Sequence, residues 1–229
     1  SLLVHALARR HGLSDRQVFV GVGSDDVLAM SFLTFFYSDK PVLFPDITYS
    51  FYDVWADLYR IPYQCQPLDD NFCIRKEDYF RENGGIVIAN PNAPTGVAMP
   101  QSVLEEIIRA NPDSVVIIDE AYVDFGGESC VPLIEKYDNL LVVQTFSKSR
   151  SMAGMRIGYA MGNEKMIGYL NDVKNSFNSY TMSAVSIAAG AASVADETYF
   201  QDTVAKVVAT RERVRGELER LGFVCTDAR

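Results

Sequence analysis

The chain predicts an α/β fold: a mostly parallel sheet covered by helices. Three observations carry this. Short apolar runs alternate with segments of helical periodicity as far as about residue 163. Two of those runs, VVII (115–118) and LLVV (140–143), are apolar at every position, which suits strands buried on both faces. Finally, strand–helix alternation over one chain is the pattern of a layered α/β domain.

Each element follows from its local pattern. Residues 1–11 read as a helix, and VFVGVG (18–23) as a strand running into a glycine turn. SDDVLAMSFLTFFY (24–37) has helical spacing, with FLTFFY an expected core segment. PVLFP (41–45) is a short strand, YSFYDVWADLYR (49–60) a helix and YQCQPL (63–68) a strand. IRKEDYFREN (74–83) reads as a charged helix and GIVIAN (85–90) as a strand. PQSVLEEIIRAN (100–111) is a helix ending before Pro112. SVVIIDE (114–120), LLVVQTF (140–146) and MRIGYAMG (155–162) complete a set of seven strands. Beyond residue 163 the pattern is almost wholly helical to about Leu221, and 196–221 reads as a solvated helix bridging domains. The expected organisation is a large domain over 1–195, then a linking helix and the start of a second domain over 196–229. Both chain ends are abrupt, and GFVCT (222–226) reads as the opening of a strand, so a fragment of a longer protein is expected.

Composition narrows the function. The 229 residues are 48% hydrophobic, enough for a sizeable core, and carry a net charge of −9. That acidic balance argues against a nucleic-acid partner. No run of 18 apolar residues is present, so no membrane-spanning helix is expected. SLLVHALARRHGL (1–13) has its charges after its apolar residues, the reverse of a signal peptide. Cys65, Cys73, Cys130 and Cys225 form no CxxC pair, and His5 and His11 are the only histidines, so no metal site is expected. Scattered thiols suit the cytoplasm.

Four segments carry chemistry, each at the C-terminal end of an expected strand, where open α/β sheets bind ligands. GVGSDD (21–26) offers glycines, Ser24 as a helix cap and Asp25 in the first turn; free N–H groups there can hold an anion. The turn has neither the third glycine of GxGxxG nor a GK[ST]. NPNAPTG (90–96) is a rigid turn that aims Asn92 at the mouth of the sheet, although spacing alone fits a plain structural loop. In IIDEAYVDF (117–125), Asp119 follows buried residues and needs a charged partner, with Tyr122 three residues on. In TFSKSRSMAGMRIG (145–158), Lys148 follows a buried strand, flanked by Thr145 and Ser147, with Arg156 eight residues later. A lysine in such a place can act as a nucleophile, and a guanidinium suits phosphate. Read separately, each segment is also explained as a turn, a cap or a solvated surface. Together they ask for one ligand with a phosphate, a carbonyl and a basic ring nitrogen. Pyridoxal 5'-phosphate has all three.

TFSKSRSMAG (145–154) resembles the cofactor-attachment motif of class II aminotransferases, with Lys148 as the attachment lysine and Arg156 as the phosphate arginine. DEAY (119–122) is similar to the family's Asp-x-x-Tyr element. PDITYSFY (45–52) resembles the segment whose tyrosine, here Tyr49, stacks on the pyridine face. GSDD (23–26) resembles the phosphate turn, which adds Gly23, Ser24 and Asp25. Order and spacing agree over essentially the whole chain. The resemblance implies the aspartate-aminotransferase fold, a cytoplasmic homodimer, and a small-molecule amino donor with a 2-oxo acid. L-Histidinol phosphate and 2-oxoglutarate are the implied pair. Threonine-phosphate decarboxylases and aromatic aminotransferases share the scaffold, and a non-catalytic cofactor-binding module is the alternative of another class. One departure matters. The family's motif reads Asn-Asn-Pro-Thr-Gly, and Ala93 stands where the second asparagine contacts the ring hydroxyl. Either Asn92 reaches instead or Tyr122 makes that contact alone.

Overall fold

The computed structural model describes residues 1–229. All seven expected strands form one sheet: β1 (Val18–Gly21), β2 (Val42–Pro45), β3 (Tyr63–Gln66), β4 (Gly85–Ala89), β5 (Val116–Asp119), β6 (Leu140–Thr145) and β7 (Gly158–Met161). Their order is β1-β7-β6-β5-β4-β2-β3. β7 runs antiparallel to both of its neighbours, and every other adjacent pair is parallel. The reversal follows from chain length. Only the segment 146–157 joins β6 to β7, and it holds one 3₁₀ turn, not a crossover helix.

Strands β4, β5 and β6 are buried at every position, as their unbroken apolar runs require. Alternate side chains divide between two cores. Val116, Ile118, Leu140 and Val142 pack with α1 (Leu2–His11) and α4 (Gln101–Ala110). Ile117, Leu141 and Val143 pack with α2 (Ser24–Phe35), α3 (Tyr52–Tyr59) and α5 (Glu164–Phe177) on the other face. The result is a three-layer sandwich. Of the FLTFFY segment, Phe32 and Phe36 are fully buried, whereas Tyr37 is 90% exposed.

Two local expectations are corrected. Residues 74–83 hold only a 3₁₀ turn, Lys76–Tyr79. Among them only Ile74 and Tyr79 are buried apolar anchors, too few to fix a short charged helix whose formation is marginal in water. The helix expected from residue 49 begins at Tyr52. The helical stretch after 163 is three helices: α5, α6 (Ala184–Ala195, capped by Ser183) and α7 (Glu197–Arg220, capped by Asp196). The last of these buries only Phe200 and Val204. Residues beyond it return to the NPNAPTG turn, where Thr226 Oγ1 donates to the Thr95 carbonyl at 2.8 Å and Val97 bridges Ala228. No helix is long and apolar enough to cross a membrane.

Candidate active site

The C-terminal ends of β4, β5 and β6 and the turn after β1 enclose a pocket of about 220 Å³. Its lining includes Ser24, Asp25, Tyr49, Asp119, Tyr122, Ser147, Lys148 and Arg156. Eight of the eleven residues anticipated from sequence therefore meet at one place.

The floor is Asp119, the last residue of β5, paired in register with Ala89 of β4 and Val143 of β6. It lies on the sheet face that carries α2 and α3. Its carboxylate is 5% exposed. The sequence calls for a charged partner, but the structure supplies two neutral donors. Tyr52 Oη donates to Oδ2 at 2.7 Å, and the Ala121 N–H donates to Oδ1 at 3.2 Å. Burial therefore dominates and pushes the carboxyl up to about 6, opposed by the two hydrogen bonds and by the Lys148 charge. A buried acid of this kind is completed by a cation arriving from the pocket.

One wall is the turn before α2. Gly23, not Ser24, occupies the N-cap, with φ 96°, a conformation that excludes most side chains. Ser24 becomes the first helical residue, so its hydroxyl is left for the pocket. Asp26 Oδ2 accepts from the Val22 N–H at 2.9 Å and holds the turn shut. Arg156 comes so close to Gly23 that a Cβ there would collide with the guanidinium. Its Nη2 lies 3.9 Å from Asp25 Oδ2. A helix N-terminus, a serine and an arginine converging in this way have the chemistry to hold an anion.

Tyr49 closes the pocket beside this turn. Its hydroxyl donates to Asp25 Oδ1 at 3.0 Å, and burial, with that carboxylate next, raises the phenol to about 12. Lys148 stands at the mouth, exposed, with Nζ 5.0 Å from the centre of the Tyr122 ring. The loop that carries it is tied down by Ser149 Oγ, which donates to Asp124 Oδ2 at 2.5 Å.

Asn92 and Thr145 do not line the pocket. The Asn92 amide donates to the Ile47 carbonyl at 2.9 Å and to Thr95 Oγ1 at 3.0 Å, and its oxygen accepts from Thr48. These bonds brace the turn and leave Ala93 facing the pocket. Thr145 Oγ1 donates to the Ile157 carbonyl at 3.3 Å and accepts from the Ser147 N–H at 3.1 Å, shaping the lysine loop from beneath. Gly23 contributes backbone alone. The residue missed from sequence is Tyr52, whose aromatic ring in the run FYDVW reads as core.

A glycine turn facing an arginine, a buried acid, a tyrosine wall and an exposed lysine, arranged on a seven-stranded α/β sheet, define a class. The chain belongs to the aminotransferase class I and II family, whose family model matches residues 2–229. More narrowly, it is 58% identical over 224 residues to a histidinol-phosphate aminotransferase of Lactococcus lactis subsp. cremoris, covering 98% of this chain and 63% of that protein. A histidinol-phosphate aminotransferase 2 of Dechloromonas aromatica is 54% identical, over 97% of this chain and 63% of its own. The chain thus spans a little under two thirds of the length of these relatives. Among solved structures, histidinol-phosphate aminotransferase from Sinorhizobium meliloti in complex with pyridoxal-5'-phosphate superposes with a TM-score of 0.83 at 26% identity, over 93% of this chain and 59% of that one. Aspartate aminotransferase from Thermus thermophilus gives 0.86 at 22% identity, over 99% and 68%, and shares the fold.

Proposed function

We propose that this chain is the cofactor-binding part of a pyridoxal-phosphate-dependent aminotransferase that moves the amino group of L-histidinol phosphate to 2-oxoglutarate, in histidine biosynthesis. The observation that carries the reading is the convergence of Lys148, Asp119 and the Gly23–Arg156 anion site on one pocket. The residues present fit the cofactor: a buried acid lacking a cationic partner, a cradle that a Cβ would fill, and a lysine at the mouth. When bound, pyridoxal phosphate supplies an electron sink for the carbanion left by proton removal.

The chain's residues do the rest. Lys148 would hold the cofactor through Nζ at its aldehyde group, and its freed amine would carry the α-proton of the amino donor as base and then acid. Asp119 keeps the ring nitrogen protonated. Tyr122 would hydrogen-bond the ring hydroxyl alone, because Ala93 cannot and Asn92 is committed elsewhere. Tyr49 would cover the ring face, while Ser24, Ser147, Arg156 and the α2 N-terminus would hold the phosphate. Residues 1–195 are the cofactor domain, and 196–229 form a linking helix and the beginning of a second domain. The working form is a cytoplasmic homodimer.

The test is reductive labelling. With pyridoxal phosphate and borohydride, wild type gains one pyridoxyl group, mapped by mass spectrometry to Lys148, and Lys148→Ala gains none. Label spread over surface lysines with none at Lys148 overturns the cofactor reading. The full-length protein then converts L-histidinol phosphate with 2-oxoglutarate to the oxo phosphate and glutamate. Loss of carbon dioxide from threonine phosphate instead would assign it to the decarboxylases that share its scaffold.

A further inference from the structure

We propose that Tyr52 is a positioning residue for Asp119: its buried hydroxyl fixes the plane of that carboxylate and keeps it ionised beneath the bound ring. The role assigned to the ring rests on the proposed function; the contact itself does not. Tyr52 opens α3 and is fully buried. Its ring is held by Phe32, Phe44, Tyr49 and Trp55, with centroids 5.8–6.3 Å away. It has no freedom to turn aside, so the 2.7 Å bond to Oδ2 is imposed by packing.

The groups facing Asp119 are few. Tyr52 comes from α3, Tyr49 from the segment before it, Asp25 from α2, Lys148 from the loop after β6, and the Ala121 N–H from its own chain segment. No lysine or arginine forms an ion pair with Asp119. A cation in the place of Tyr52 would neutralise the acid and remove its attraction for a protonated ring nitrogen. Tyrosine supplies a donor without supplying a charge. Burial and Asp25 push the carboxyl towards its neutral form, and the Tyr52 bond is the largest effect opposing them. Burial holds the phenol itself far above its usual range, so it remains a neutral donor at every working pH.

The test begins with Tyr52→Phe, which keeps the ring and deletes one oxygen. In cofactor-free protein labelled with [¹³C]aspartate, the Asp119 carboxyl is expected to titrate at higher pH than in wild type. Pyridoxal phosphate affinity near pH 7 is expected to fall about tenfold, the scale of a hydrogen bond to a charged group. The pH at which affinity is lost should rise in step with the carboxyl. In an Asp119→Asn background the same substitution should change affinity little. An unmoved Asp119 titration, or an equal affinity loss in both backgrounds, overturns the inference in favour of simple core packing. Should Tyr52→Phe fail to fold, a fluorinated tyrosine at position 52 tests the same bond. The more acidic phenol should move the Asp119 titration to lower pH, and no movement overturns the inference. If wild type takes no label at Lys148, the proposed function fails, whereas the carboxyl titration still decides what Tyr52 does.

Discussion

Asp119, the last residue of β5, and Glu120 directly after it are adjacent carboxylates, and the difference in their surroundings separates a site from a clamp. Glu120 is 1% exposed and fully engaged: Ser129 Oγ and Gln144 Nε2 donate at 2.7 Å and the Cys130 N–H at 2.6 Å. Burial still lifts it to about 7. Asp119 has fewer donors and an open pocket beside it. Its pKa is raised from 3.8 to about 6, so between those values the folded chain holds more protons than the unfolded one. Stability contributed by Asp119 is present below pH 4 and is lost as pH rises through 6, a penalty of about 3 kcal/mol at neutrality. Asp119→Asn should therefore stabilise the cofactor-free protein by up to about 3 kcal/mol in urea unfolding at pH 7.5, with the gain vanishing at pH 4. The same variant should lose most of its affinity for pyridoxal phosphate. Asp119 and Lys148 were legible because charged residues at the ends of apolar strands are unusual, and Arg156 because it follows the lysine by eight residues. Tyr52 was not, because in FYDVW an aromatic residue reads as core, which it also is. Only the packing of α3 beside α2 on that face of the sheet puts its hydroxyl on the acid.

At the level of elements, the anion site depends on a close approach of two backbones. A Cβ at Gly158, the first residue of β7, would overlap Gly23 and the Ser24 nitrogen. Gly158→Ala should thus destabilise the chain by about 1–3 kcal/mol, as overpacked interiors do. It should also weaken phosphate-dependent binding, so affinity for pyridoxal phosphate should fall more than affinity for unphosphorylated pyridoxal. A melt together with the two ligand titrations checks this, and equal loss for both ligands would remove the turn from the phosphate site. The seven strands were readable from periodicity because burial on both faces leaves long apolar runs. The 74–83 segment was not, since its charges resemble a solvated helix while its anchors are too sparse to hold one. The cap at Gly23 was misread in favour of Ser24 because serine is the commoner cap; the glycine is required by its positive φ and by the guanidinium beside it.

The whole molecule divides unevenly in its internal support. Strands β4 to β6 have no solvent-facing side, whereas α7 exposes Val207 and Val214, and Leu221, Phe223 and Val224 beyond it are 60–100% exposed. Local stability follows buried apolar contact. In hydrogen exchange on the intact chain, amides of 207–220 should exchange well before those of 86–89 and 116–119. Exchange of both sets at one rate would count against a division near residue 196. The acidic charge and the layered architecture were legible from composition and pattern. The antiparallel placement of β7 was not, because it depends on a connection too short for a helix and not on the character of the strand.

That placement also sets the order in which the site can be assembled. β1 has a single partner in the sheet, and the partner is β7, about 140 residues later in the chain. On a ribosome adding roughly 5–20 residues per second, the first strand waits on the order of 10–30 s for the last. Throughout that interval β2 to β6 can pair in turn, while the glycine turn after β1 has nothing to hold it. The anion site must then close last, at the end of a long loop. A nascent chain arrested before residue 158 would carry Lys148 and Asp119 and still be unable to grip a phosphate.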